Sequence, residues 1–397
     1  MNGGRHVIPP HLANPMKDLV SPVDTAERLA IEFAATAASS DASGRLPRRH
    51  ITRLHETRLS ALTAPKAFGG GGAGLLPAVK VVGAIAQGDP SIALILSMQY
   101  INLATLPQSR WPEALVARVL TDAADSGGLI NGLRVEAELG TPLRGGLPAT
   151  TAKLESGGWR LTGHKIYSTG AGVLRWGIVW AKTDESEPRV GTFLVPMSAR
   201  GVRIEKTWNQ LGMRATESHD AHFDDVLIPL ENAADIRLPA EWGQGRDAAA
   251  SVWGALLIGA IYDGVARAAA EWTRGFLQNR VPSGLGAPLS TLPRMQQAIG
   301  AIEEGLAVNR RLVWSAARDL DDGDAPSPEE ANLLKVAVTE RAIDLVGACL
   351  KLSGNHGLAR ANPLERHYRN VLCGRIHSPQ EDTVHLAAGR AALAPAT

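Results

Sequence analysis

The sequence predicts an α+β protein in which two helical regions flank one β domain. From about Pro22 to Asp125, apolar residues recur at three-to-four spacing in Ala-rich stretches, the period of helices with one buried face. From Gly128 to Pro229, short β-rich runs bounded by Gly, Pro or charged turns take over. From Ala240 onward long helical patterns return. A doubly wound sheet would alternate strand and helix along the chain, and this order does not. Domains at 1–126, 127–236 and 237–397 follow.

In the first region Ala26–Ala38 and Ala78–Ile85 carry the helical pattern. Between them, Gly69-Gly70-Gly71-Gly72-Ala73-Gly74 satisfies the dinucleotide fingerprint in spelling only. That motif needs a strand before it; Leu59–Phe68 is no β run and holds Pro65, so a turn is expected. In the second region Trp159–Gly163, after the Gly157-Gly158 turn, Gly177–Ala181, Gly191–Val195 and Val202–Ile204 read as strands. In the third, Ala248–Tyr262 is the longest apolar run, bounded by Asp247 and Asp263. A spanning helix needs roughly 20 such residues, so a buried core helix is expected. Val281–Pro293 and Asp321–Pro328 break the later helices. Asp319–Asp324 hints at a calcium loop, but its glycine falls where a ligand belongs; a solvated linker is expected.

The 397 residues, 45% hydrophobic and 20% charged, suffice for two or three domains with sizeable cores. A net charge of +1 offers no field for nucleic acid or an anionic membrane. Cys349 and Cys373, without a CxxC, build no metal site or disulfide framework. A reducing, cytoplasmic setting is expected. Met1–Lys17 has no apolar core segment, so no signal peptide is read there.

Three further segments carry the chemistry. Gly163-His164-Lys165-Ile166-Tyr167-Ser168-Thr169-Gly170-Ala171 reads as a strand end. Trp208–Asp220 reads as a tight turn before a last strand, with His219 a locally bonded turn residue. Near the end, the basic helix Asn362–Asn370 leads to Gly374-Arg375-Ile376-His377-Ser378-Pro379. This series, with the turn Pro65–Gly70, resembles the acyl-CoA dehydrogenase superfamily over nearly the whole chain. The resemblance implies an N-terminal helical domain, a middle β-barrel or sandwich and a C-terminal four-helix bundle, assembled as a homotetramer or homodimer. It implies FAD or FMN as cofactor. Tyr167, Ser168 and Thr169 would then edge the flavin ring, where hydroxyls and N–H groups stabilise its reduced form. Arg280 would reach the flavin diphosphate of a neighbouring subunit through its guanidinium fork. Val281-Pro282-Ser283-Gly284 departs from the Phe-Gly that usually follows it, and a helix C-terminus also favours a cation there. Gly354, Asn355 and Gly357 would border the adenosine part, where close backbone approach needs glycine; a Schellman-type helix stop fits the same residues.

A dehydrogenase of this kind needs a carboxylate to remove an α proton. By the resemblance it stands in one of two places. Ser378 holds the first, and the second falls in Ala248–Tyr262, which has no Asp or Glu. Glu381 and Asp382 lie nearby but suit the first turn of a helix beginning near Thr383. His377-Ser378-Pro379 and Tyr167–Ala171 are instead similar to the two-component flavin monooxygenases of this fold. That implies His377 as the group managing protons and Ser168 as a hydrogen-bond donor. Relatives often have a second histidine where this chain reads Ser97-Met98-Gln99-Tyr100, so Gln99 or Tyr100 would take its part. The expectation is a flavin-dependent oxidoreductase, foremost a monooxygenase of a small organic substrate fed by a separate flavin reductase. The alternatives are acyl-CoA α,β-dehydrogenation by a displaced carboxylate, with an electron-transfer flavoprotein as acceptor, and a non-catalytic flavin-binding subunit of a hetero-oligomer.

Overall fold

Five helices, eight strands and six further helices follow one another in the computed structural model, which describes residues 21–139, 146–242 and 248–394. Met1–Lys17 and Asp247, read above, lie outside the described residues.

Helix α1 (Pro22–Ser43) starts on Ser21, whose hydroxyl accepts the Asp24 N–H, and stops at Gly44 with φ 63°. After α2 (Arg48–Glu56) and the Gly69–Gly74 turn comes α3 (Leu75–Gly88). Its first N–H groups, on Leu75 and Leu76, donate to the Asp321 carboxylate at 2.7 and 2.8 Å. The Asp-rich segment is therefore more than a solvated linker: one of its acids caps a distant helix. Helix α4 (Pro90–Thr105) has Asp89 as its cap, accepting from Ser91 and Ile92, and proline at its first position, where no N–H is missed. Gln99 and Tyr100, expected to substitute for a histidine, are structural instead. Gln99 bridges the Ile130 N–H and the Gly128 carbonyl, and the Tyr100 hydroxyl donates to the Leu59 carbonyl, all buried. Helix α5 (Glu113–Ser126) closes the first region.

The strands are β1 (Leu129–Leu133), β2 (Thr151–Glu155), β3 (Gly158–Ser168), β4 (Leu174–Thr183), β5 (Val190–Pro196), β6 (Val202–Glu205), β7 (His219–Ile228) and β8 (Ala233–Arg237). They form one sheet in the order β6-β7-β3-β2-β4-β5-β8, with β1 pairing β4 in parallel. The long antiparallel pair β3–β7 is its spine, and its register slips between Lys165 and Ser168. Lys165 points inward, fully buried, and its Nζ lies 2.6 Å from Glu136 Oε1. Burial pushes its pKa down to about 8, and the Glu136 partner keeps the charge tolerable. His219 opens β7 rather than closing a turn, and its Nδ1 accepts the Trp208 N–H at 3.1 Å.

Helix α6 (Ala248–Asn279) forms the axis of the last region, with α7 (Pro293–Asp321), α8 (Pro328–Ser353) and α10 (Leu364–Leu372) packed on it. The short α9 (Asn355–Leu358) precedes α10, and α11 (Glu381–Ala392) ends the chain's helices. By length and composition α6 could cross a bilayer, but 72% of its most apolar window is buried inside the protein. Burying Leu257, Ile261 and Val265 contributes about 1.5–3 kcal/mol each. Helix α3 lies against the same helix at very short range: a Cβ on Gly264 would come within 2.5 Å of the Gly83 carbonyl oxygen. Only glycine permits that crossing.

Candidate active site

The end of β3 turns sharply. Tyr167 adopts φ 56°, in the left-handed region that a β-branched or aromatic residue rarely enters. The residue is 56% exposed, and its ring meets Trp208 edge-on at 6.2 Å. Met213 and Glu217, at φ 51° and 44°, bend the facing turn. Three such residues together cost of order 1–3 kcal/mol each, and persist where surrounding contacts over-determine them.

Those contacts are present. The Thr169, Ser218 and Thr216 hydroxyls form a chain with steps of 3.0 and 2.8 Å, ending on the Met213 carbonyl. Asn131, on β1, donates to the Thr169 carbonyl. Glu217 accepts from the Leu46 N–H and from Arg48. Asn370, on α10, accepts the buried Met213 N–H at 2.8 Å. A Cβ on neighbouring Gly212 would lie 2.3 Å from the Arg369 carbonyl oxygen, so the turn sits directly on α10.

Ser168 stands apart within this frame. It is 1% exposed, and its Oγ has no hydrogen-bond partner. A buried hydroxyl left alone costs about 1–3 kcal/mol, so an outside partner suits it. A flavin ring, with its carbonyl oxygens and ring nitrogens, is such a partner, and the residues at this strand end fit it.

His377 follows α10 and a short turn. Its Nε2 lies 2.6 Å from the Tyr262 hydroxyl, on α6. Burial, helped by the nearby Lys335 cation, pushes its pKa down to about 4, so the ring is neutral near pH 7. Burial holds the Tyr262 phenol well above its usual range, so it keeps its proton. A Tyr262 O–H donating to Nε2 leaves no buried donor unpaired, and it places the ring's own proton on Nδ1. The backbone here is clamped as well: Lys335, 3% exposed, donates to the His377 and Pro379 carbonyls at 2.5 and 2.9 Å. Ser378 is exposed, as are Glu381 and Asp382 in the first turn of α11. The buried carboxylate on α6 is Asp263, just past the run read above; it binds Arg267 and faces α7 rather than His377.

The remaining expected residues gather elsewhere. Arg280 is exposed, one residue beyond α6, and its N–H donates to the Phe276 carbonyl. The Phe276 ring lies 5.1 Å from His356, on α9. Arg280 therefore shares one end of the bundle with exposed Gly354 and Asn355 and buried Gly357. Gly354 has φ 54° and ψ −137°, outside the left-handed helical region, and its N–H donates to the Leu350 carbonyl. It is not a Schellman stop. Ser168 and His377 belong to separate networks, one centred on the sheet and one on the bundle. Tyr262 and Lys335 are the residues that sequence reasoning missed.

An arrangement of this kind, a hydroxyl-lined strand end braced on a helical bundle with a neutral imidazole held by a phenol, offers hydrogen-bond donors to a bound cofactor. Known proteins supply the family. The chain matches the acyl-CoA dehydrogenase N-terminal domain over residues 22–111, the middle domain over 136–226 and the C-terminal domain over 246–379. It is 33% identical over 362 residues to YdbM of Bacillus subtilis, an acyl-CoA dehydrogenase by name, covering 90% of this chain and 92% of that one. It is 29% identical to the mitochondrial short-chain specific acyl-CoA dehydrogenase of Bos taurus, covering 87% and 82%. Among solved structures, KijD3 in complex with dTDP superposes at a TM-score of 0.82 with 25% identity, covering 94% and 96%. Butyryl-CoA dehydrogenase of Megasphaera elsdenii superposes at 0.83 with 22% identity (95% and 99%), and methanesulfinate monooxygenase MsuC of Pseudomonas fluorescens at 0.81 with 23% (94% and 97%). The chain belongs to the acyl-CoA dehydrogenase family and is a flavin-dependent oxidoreductase with FAD or FMN as its cofactor.

Proposed function

We propose that the protein is a monooxygenase that uses reduced flavin, delivered by a separate reductase, and dioxygen to oxygenate a small organic substrate. The observation that carries this reading is the His377–Tyr262 pair, which adjoins Ser378, the residue standing where the resemblance would put a dehydrogenase's carboxylate. Bound flavin supplies the two electrons: one oxygen atom enters the substrate and the other leaves as water. Ser168 offers its unpartnered hydroxyl to the flavin ring, beside Tyr167 and Thr169. Tyr262 fixes the imidazole and leaves Nδ1–H of His377 to donate to oxygen or substrate. The ring stays neutral, so it gives a hydrogen bond without adding a charge. Arg280, Gly354, Asn355 and Gly357, grouped at one bundle end, hold the distal part of a flavin bound to a second copy of the chain in a homodimer or homotetramer.

The second reading is acyl-CoA dehydrogenation with an electron-transfer flavoprotein as acceptor. The 33% identity to a relative of that name favours it. It requires Glu381 or Asp382 to swing in from the first turn of α11.

Anaerobic mixing of the flavin-loaded protein with acyl-CoA thioesters of graded chain length separates the two. The monooxygenase reading expects no bleaching of the flavin by any of them, and bleaching overturns it. In the oxygen reaction of the reduced protein, His377→Ala is expected to lower oxygenated product about 100-fold, with released hydrogen peroxide taking its place and flavin content unchanged.

A further inference from the structure

On the outer face of the sheet, away from Ser168, three neighbouring strands bring two imidazoles and two carboxylates together. His164 on β3 and His222 on β7 are direct cross-strand partners. Asp220 lies two residues before His222, hence on the same face, and Glu205 on β6 pairs directly with Asp220. His164 Nε2 lies 2.8 Å from Asp220 Oδ2, and His222 Nε2 lies 3.0 Å from Glu205 Oε2. The two rings stack at 4.1 Å with 10° between their planes. His222 Nε2 is buried, yet its approach to Glu205 lacks the alignment of a hydrogen bond. Donor atoms of His164, Asp220 and His222 all fall within 4.8 Å of one another.

We propose that His164, His222 and Asp220 form a binding site for a divalent transition-metal ion of the zinc–copper class, with Glu205 or water completing the coordination. Two imidazole nitrogens and a carboxylate oxygen are the donor set such ions select, whereas magnesium and calcium take oxygen ligands. Tetrahedral zinc places its ligand atoms about 3.3 Å apart. The donor atoms of the three residues, within 4.8 Å of one another, lie somewhat wider than that and would have to draw together on the ion. The His164 side chain, 43% exposed, leaves an entry path from solvent. Thr207 steadies the site by donating to Asp220 Oδ1 at 2.7 Å, which leaves Oδ2 for the ion. Arg203 competes for Glu205, bonding its Oε2 at 3.0 Å, so Glu205 is the exchangeable ligand. The ion would tie β3, β7 and β6 together.

The test is equilibrium dialysis of EDTA-treated protein against Zn2+, with Mg2+ as control and flavin present throughout. The expected result is one zinc per chain, no magnesium at the same concentration, and a thermal midpoint raised by zinc. His164→Ala and His222→Ala should each weaken zinc binding roughly 10-fold or more, and the double variant should lose the zinc-induced rise. His164 is the more exposed of the two, so its single variant stays informative if the double variant folds poorly. Zinc binding by the variants equal to that of the wild type means that the ion sits elsewhere and overturns the proposal. So does absence of zinc binding by the wild type.

Discussion

The two regions proposed to hold a flavin are built in opposite ways. The strand end Tyr167–Thr169 is braced from every side: by Asn131 of β1, by the Thr216–Ser218 turn, and through Met213 and Glu217 by α10 and the α1–α2 connection. The bundle end at Arg280 and Gly354–Asn355 is exposed, with only its backbone anchored. A site that is complete within one chain can store strain and bury polar atoms, because its own contacts hold it. Residues that serve a neighbouring copy must stay open until that copy arrives. The comparison predicts that removing a brace of the first region costs stability, whereas perturbing the open region costs only binding.

Acid gives the largest expected effect. His367, on the bracing helix α10, is 4% exposed, and burial together with the adjacent Arg366 cation pushes its pKa down to about 3. The unfolded chain takes up this proton near the ordinary imidazole value of 6.5, well before the folded protein does. Stability is therefore full above pH 6.5 and is lost as pH falls toward 3, by roughly 2 kcal/mol at pH 5 from this group alone. Asp89 works in the other direction. Burial raises its carboxyl to about 6, so the folded state gains its proton first and recovers stability as pH falls from 6 to its unbonded value of 3.8. Denaturation midpoints measured from pH 8 to 4 should fall, and His367→Gln should remove about one proton from that slope. An unchanged slope in the variant would mean that α10 does not depend on a neutral histidine.

Ser168→Ala should produce a smaller effect of two signs. Removing a buried hydroxyl with no protein partner should leave the flavin-free protein as stable or up to about 1 kcal/mol more so. Flavin affinity should fall about fivefold, the equivalent of one ordinary hydrogen bond. Calorimetry of the flavin-free variant and a flavin titration read the two halves separately. A loss of stability without flavin would show that Ser168 has a structural partner after all.

Much of this was legible in the sequence, and what was not has a common physical cause. The helix–sheet–helix order and the polar strand end Tyr167-Ser168-Thr169 were visible because periodicity and turn chemistry are local. Tyr262 sits in an apolar run and reads as core, and only folding brings its hydroxyl to a histidine 115 positions later. Lys335 reads as one more solvated helix cation, yet it is buried and clamps carbonyls more than 40 residues away. Asp321 lies in a loop of turn-forming residues and caps a helix 246 positions earlier. Gln99 and Tyr100 were assigned chemistry by position alone, but their side chains are consumed in joining α4 to its neighbours. Contacts between distant segments leave no local pattern, and active-site roles depend on such contacts.

Arg280→Ala should have the smallest effect on the folded chain, and it tests the comparison most directly. An exposed side chain away from caps and cores changes stability by about 0.5 kcal/mol or less on substitution. Its guanidinium, if it grips a diphosphate held mainly by another copy, contributes a charge-assisted bond of about 1.5–3 kcal/mol to flavin binding. The variant should therefore keep its thermal midpoint without flavin but release flavin faster, and the difference from wild type should vanish on dilution below the concentration at which copies associate. A stability lowered by clearly more than about 0.5 kcal/mol in the flavin-free variant would place Arg280 among the braces of its own chain. A faster release that persists in the monomer would put the diphosphate on the same chain as Arg280. Either result would remove the contrast between a site that one chain completes and a site that it lends.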